Sequence, residues 1–182
     1  MSQPIELIVG IAGNSGSGKS TLASALAIAL DGETASFGDF IRHIASVGAR
    51  SLRREDLQEI GQALVERDPG EFVASFLSWR NPDLSKPLII DGVRHLSVDE
   101  AIRVWANSRG ARYASILVSA PVQIRADRRA NGDVSQLANA DLHPVEREAA
   151  QFFDGIADFV LDGSGDVTLL VKNLVHELLR SK

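Results

Sequence analysis

Residues 5–21 read Ile5-Glu6-Leu7-Ile8-Val9-Gly10-Ile11-Ala12-Gly13-Asn14-Ser15-Gly16-Ser17-Gly18-Lys19-Ser20-Thr21. Few folds accommodate such a stretch. The apolar run Ile5 to Ala12 is long enough for a buried strand and too short for a buried helix. After Lys19, the residues Leu22, Ala25, Leu26, Ala29 and Leu30 recur at helical spacing until Asp31-Gly32 stops them. Between strand and helix, Gly13, Gly18, Lys19 and Ser20 satisfy Gly-x-x-x-x-Gly-Lys-Ser in the context that this motif needs. Glycines let successive backbone N–H groups of residues 13–18 converge on one anion at the helix N-terminus. Lys19 is then placed to reach the outer phosphates of a nucleotide, and the Ser20 hydroxyl to ligate Mg2+. Gly13, Asn14, Ser15, Gly16, Ser17, Gly18, Lys19, Ser20 and Thr21 are the expected nucleotide-binding set.

The rest of the chain alternates in the same way. Thr34–Phe37, Leu88–Gly92, Tyr113–Ser119 and Phe159–Leu161 read as further strands. Helical patterns start near Phe40, follow Ser51, run from Phe72 to the Asn81-Pro82 stop, and cover Asp99–Ser108, Val122–Ala130 and Val167–Leu179. Ser51-Leu52-Arg53-Arg54-Glu55 resembles a capping box for the second of these. Strands separated by helices imply right-handed crossovers, so the expectation is an α/β fold: three αβα layers around a five-stranded parallel sheet. Ligands of such sheets sit at the carboxyl ends of the strands.

Composition narrows the partners. The 182 residues suffice for one sizeable core, and we read a single domain over 1–182. A net charge of −5 argues against a nonspecific grip on nucleic acid. Fifteen Arg against four Lys still supply planar, bidentate phosphate ligands. There is no Cys, hence no disulfide framework or thiolate chemistry, and no leader or membrane-spanning stretch is evident, so a cytoplasmic location is expected. Four histidines without metal-like spacing point to ordinary packing or surface roles. Nothing in the sequence fixes an oligomeric state.

Three further segments belong with the loop. Gly38-Asp39-Phe40-Ile41-Arg42 and Asp91-Gly92-Val93-Arg94 each follow a strand, and Arg125, Arg128 and Arg129 fall at i, i+3 and i+4 on one helix face. Asp91 at a strand end can hold a magnesium-bound water. Two cations, Arg42 and Arg94, suit a dianionic acceptor. The Arg125 group fits a triphosphate, and equally a solvated face with Asp127 beside it.

With these segments the chain resembles the P-loop kinases of the nucleoside monophosphate kinase group, with features of the dephospho-coenzyme A kinases. Gly38-Asp39-x-x-Arg42 is similar to the Gly-Asp-x-x-Arg of adenylate kinases, and Asp91-Gly92-Val93-Arg94 to their Asp-Gly-x-Pro-Arg, without the Pro. The resemblance implies a P-loop NTPase fold with a helical acceptor-side segment at about 40–80 and a lid at about 125–148. It further implies ATP as donor, Mg2+ held by Ser20 and Asp91, acceptor contacts from Asp39, Arg42 and Arg94, and catalytic roles for Lys19, Asp39, Arg125 and Arg129. Arg128, and Gly163 in the loop after the last strand, would lie near the nucleotide.

The implied reaction is phosphoryl transfer to a small nucleotide-like acceptor. A hydroxyl acceptor, such as dephospho-coenzyme A or a nucleoside, is the alternative, and Asp39 divides the two. A phosphate acceptor is already ionised, whereas a hydroxyl needs a general base. A different class of protein, an ATP-binding regulator with slow hydrolysis that docks a partner through residues 50–79, also fits the loop.

Overall fold

The computed structural model describes residues 7–128, 134 and 155–180. Five parallel strands form one sheet in the order β2-β3-β1-β4-β5: β1 (Leu7–Ala12), β2 (Glu33–Ser36), β3 (Leu88–Val93), β4 (Arg112–Ser119) and β5 (Phe159–Asp162). The described helices are α1 (Lys19–Ala29), α2 (Phe37–Val47), α3 (Arg54–Arg67), α4 (Pro69–Arg80), α5 (Leu96–Asn107), α6 (Val122–Asp127) and α7 (Val167–Arg180). This is the three-layer architecture expected from the alternation.

All six residues of β1 are buried because both faces of the sheet are covered. Period-two alternation sends Leu7, Val9 and Ile11 into one core with Leu22 and Leu26 of α1 and Leu174 of α7. Ile8 and Ala12 enter the other core, with Ile90, Phe37, Phe76 and Ile102. The second core is the one built by α2 to α5. Its aromatic centre, Phe37 stacked on Phe76 at 4.1 Å between ring centroids, fixes α2 against α4 beside the ends of β2 and β3.

Local chemistry sets the helix starts, and it departs from the sequence reading in several places: the helices expected from Phe72 and Asp99 begin at Pro69 and Leu96. The helix expected near Phe40 begins at Phe37, because Ser36 accepts from the Asp39 N–H at 3.3 Å and caps it. Gly38 and Asp39 therefore belong to its first turn. The capping box expected at Ser51 does not form. Ser51 accepts from the Arg53 N–H at 3.2 Å in a local turn, and α3 starts at Arg54 without a side-chain cap. Asp68 does cap α4, accepting from Glu71 N–H at 2.9 Å, with Pro69 at the first helical position.

One polar cluster lies within the second core. The Tyr113 phenol donates to Asp99 at 2.6 Å, and Arg103 lies 3.8 Å from Asp99 and 3.4 Å from Asp158. Burial raises the Asp99 carboxyl above its ordinary 3.8, opposed by the Tyr113 hydrogen bond and the Arg103 charge. Burial, with the Asp99 charge second, pushes the Tyr113 phenol well above 10.0, so it stays a donor. An acid whose pKa is raised on folding binds its proton more tightly in the native state. Stability contributed by Asp99 is therefore present below the unfolded value and lost as pH rises through the folded one. Asp99→Asn keeps an acceptor for Tyr113 and removes this titration. Denaturant unfolding at stepped pH should show the wild type losing stability relative to the variant above 3.8; parallel curves would contradict it.

Candidate active site

β1 delivers the chain to Gly13 at the carboxyl edge of the sheet, between the ends of β3 and β4. Gly13 has φ +136°, and a Cβ there would lie 2.1 Å from the Val118 carbonyl oxygen, so both conformation and packing exclude a side chain. The loop closes on itself through Ser17 N–H to Asn14 O at 3.2 Å, and α1 starts at Lys19. The Lys19 ammonium is buried and donates to Asn14 O at 2.8 Å. It thus rests against the loop that it would serve.

Ser20 Oγ donates to Asp91 Oδ2 at 2.6 Å, which joins the first turn of α1 to the end of β3. The other carboxylate oxygen, Asp91 Oδ1, is buried without a hydrogen-bond partner among the described residues, as is Ser17 Oγ. Such orphaned oxygens carry a desolvation cost that a cation or its bound water would relieve. A hydroxyl and a carboxylate are hard oxygen donors of the kind magnesium takes alongside phosphate oxygens and water. The residues present fit that ion.

From Ser15, Gly16, Lys19 and Ser20 a cavity of about 500 Å³ extends toward α2 and α3. This lies within the usual range for small-molecule sites. Asp91, Arg94 and buried His95 line the side formed by β3 and its following loop. Phe37, Ile41 and Arg42 line it from α2, and Phe72 and Val98 add apolar wall. Arg42 and Arg94, chosen from separate parts of the sequence, thus meet at one cavity with the loop. Asp39 is not itself in the wall. It stands exposed on the first turn of α2, ion-paired with Arg42 at the rim.

Two of the three clustered arginines lie elsewhere. The Arg125 guanidinium is buried behind the loop, donating to Ala120 O at 3.1 Å and to Ser15 O at 3.3 Å. Arg128 donates to Gly163 O at 2.8 Å and lies 3.4 Å from both Gly16 O and Ser17 O. Both occupy the carbonyl side of the loop, holding its shape, and neither lines the cavity. Gly163 packs directly on the same loop, its N–H bonded to Ser119 O at 2.7 Å. Thr21 is exposed on α1. Arg129 and most of the expected lid fall outside the described residues.

α3 lies within the helical acceptor-side segment expected at about 40–80, but sequence reasoning named none of its residues as part of the site. Arg54, Leu57, Gln58, Gly61, Gln62 and Val65 all line the cavity. Its apolar positions had suggested one packing face, and Ile60 and Val65 are indeed buried. The polar residues Arg54, Gln58 and Gln62, spaced by four, look like a solvent face in sequence. Their shared period was the available signal.

No family model matches the chain, and no curated protein matches it in sequence. Solved structures do match its fold. The APS kinase CysC of Mycobacterium tuberculosis, in complex with AMPPNP and APS, is 17% identical with a TM-score of 0.64, over 98% of this chain and 100% of that one. Shikimate kinase from Aquifex aeolicus is 19% identical with a TM-score of 0.56, covering 94% and 95%. A gluconokinase from Sinorhizobium meliloti is 18% identical with a TM-score of 0.55, covering 97% and 93%. The fold is that of the P-loop kinases, and it is shared by kinases named for quite different acceptors.

Proposed function

We propose that the chain is an ATP-dependent kinase that transfers the γ-phosphoryl group to a hydroxyl of a small anionic acceptor. The observation that carries this reading is the continuity of the phosphate loop with an acceptor-sized cavity, about 500 Å³, walled by Arg42 and Arg94. A regulator that only bound and slowly hydrolysed ATP would have no use for such a chamber.

In this reading the loop amides and Lys19 stabilise charge on the transferring group, and Arg42 and Arg94 hold the acceptor's anionic part. Ser20 and Asp91 would hold magnesium, which neutralises phosphate charge when bound. Asp39 accepts the hydroxyl proton, oriented at the rim by its pairing with Arg42. Arg125 and Arg128 act through the loop by fixing its carbonyls. Catalysis rests on position and electrostatics, with no covalent intermediate on the protein. Shikimate and gluconate, in the names of two of the structural neighbours, are hydroxy acids, which supports a hydroxyl over a phosphate as the receiving group.

The paired arginines also suit an acceptor phosphate, as in the nucleoside monophosphate kinase reading, so the product must decide. The protein is incubated with γ-labelled ATP and, separately, hydroxy acids, nucleosides, nucleoside monophosphates and dephospho-coenzyme A. Acceptor-dependent ADP release with label in a phosphate monoester is expected. Label in nucleoside diphosphates would establish the phosphate acceptor instead. Slow hydrolysis at one rate with every compound would overturn the kinase.

A further inference from the structure

Three departures from ordinary helix and core chemistry fall within five residues of α3, all on residues lining the cavity. Among the described residues, Gln58 Nε2 is buried without a hydrogen-bond partner. Gln62 Oε1 is buried and unpartnered among them as well. Between them stands Gly61 in the middle of a 14-residue helix, where glycine is destabilising by about 1 kcal/mol relative to alanine. No steric need explains it: an added Cβ would meet only Ile41 side-chain carbons, at 3.7 and 3.8 Å, an ordinary contact. Leucine at 58 and 62 and alanine at 61 would make a more stable helix. Local rules broken together on one wall mark a surface shaped for something other than stability.

The free atoms have definite chemistry. Gln62 Nε2 donates to Glu66 Oε1 at 2.6 Å, and an ionised Glu66 can only accept, so the amide orientation is set and the oxygen is the free end. Gln62 offers an acceptor, Gln58 can turn its N–H group to the same side as a donor, and successive turns of a helix put i and i+4 side by side. The terminal torsion of glutamine is broad, so a small rotation turns either group into the cavity. Their complement is an acceptor beside a donor: a carbonyl or ring nitrogen next to an N–H. A carboxylate meets only half of that pattern, and Arg42 and Arg94 already serve anions.

We infer that Gln58 and Gln62, flanking Gly61, form a recognition subsite for an amide-type edge on the phosphoryl acceptor. The inference rests on the reading that this cavity receives the acceptor, and it narrows the substrate to an alcohol with such an edge. A nucleobase and a primary amide share this chemistry, whereas the N–H and C=O of a trans secondary amide point opposite ways. Simple hydroxy acids lack the pattern.

The test pairs binding with turnover. Protein saturated with AMPPNP is titrated calorimetrically with orotidine, tartramate, shikimate and gluconate, each an anionic alcohol, and the same compounds are assayed with ATP. Orotidine against tartramate separates base from primary amide. Amide-edged compounds should bind and react in preference to the hydroxy acids. Gln58→Leu and Gln62→Leu should each weaken acceptor binding and raise its KM about tenfold, the worth of one neutral hydrogen bond, with the KM for ATP unchanged. Each variant, and Gly61→Ala, should melt at or above the wild-type temperature, where a merely structural role predicts a lower one. Binding that depends on the glutamines without turnover would defeat the kinase and keep the subsite. Turnover indifferent to both substitutions, preference for shikimate or gluconate, or no binding by any amide-edged compound would overturn the subsite.

Discussion

Lys19→Ala should reduce acceptor-dependent ADP release about a thousandfold or more at saturating ATP. Removing one preorganised donor to a developing oxyanion costs roughly a hundred- to a thousandfold, and Lys19 carries a full charge. Its ammonium sits against Asn14 O at 2.8 Å, so it needs only a small swing to meet a phosphate held by the loop amides. The loop's scaffold does not depend on it: Gly13 is wedged at Val118, while Arg125 and Arg128 hold the carbonyls of Ser15 and Gly163. The variant should therefore unfold at nearly the wild-type temperature, measured by circular dichroism, while its turnover disappears. Retained turnover would mean that the loop is not the donor site.

Asp39→Asn should lower kcat by about a hundred- to ten-thousandfold, the usual contribution of a general base, with little change in the KM for ATP. The loss follows if the acceptor is the proposed alcohol, whose proton must go somewhere as the oxygen attacks. A phosphate acceptor needs no such base, and the substitution would then cost only the pairing with Arg42, a few-fold at most. That pair is solvent-exposed and weak in itself. A small effect on kcat together with label in a diphosphate product would move the assignment to the phosphate acceptor.

The architecture was legible in the sequence because its signals are local. The apolar run through Leu7–Ala12 reads as a buried strand, the pattern from Lys19 as a helix, and the loop's glycines occur where three positive φ angles are needed, at Gly13, Gly16 and Gly18. The association of Arg42, Asp91 and Arg94 was legible too, through the rule that strand ends in a parallel sheet face one crevice. What stayed hidden depends on which way a helix turns. The row Arg54, Gln58 and Gln62 has the polarity of a solvent face and becomes cavity wall only once α2 and α4 place α3. Arg125 has the opposite history. A cation on an exposed-looking helix is buried where the loop presents the Ser15 carbonyl to it, and nothing in the spacing announces a backbone partner 110 positions away.

The position of β1 also dictates a schedule. The strand sits in the centre of the sheet, yet Ile8 waits for Leu88 on one side and Leu7 for Arg112 on the other. The loop that follows it waits longer still, because Gly163 lies so close to Ser17 that any side chain would put a carbon 2.0 Å from its carbonyl oxygen. Pairings this distant in sequence form slowly. As the chain leaves the ribosome, its first twenty residues therefore hold the whole phosphate-binding motif and none of its shape. Nucleotide can be captured only after β4 and the loop beyond β5 have been synthesised, so ATP binding to a nascent chain would report that the sheet has closed.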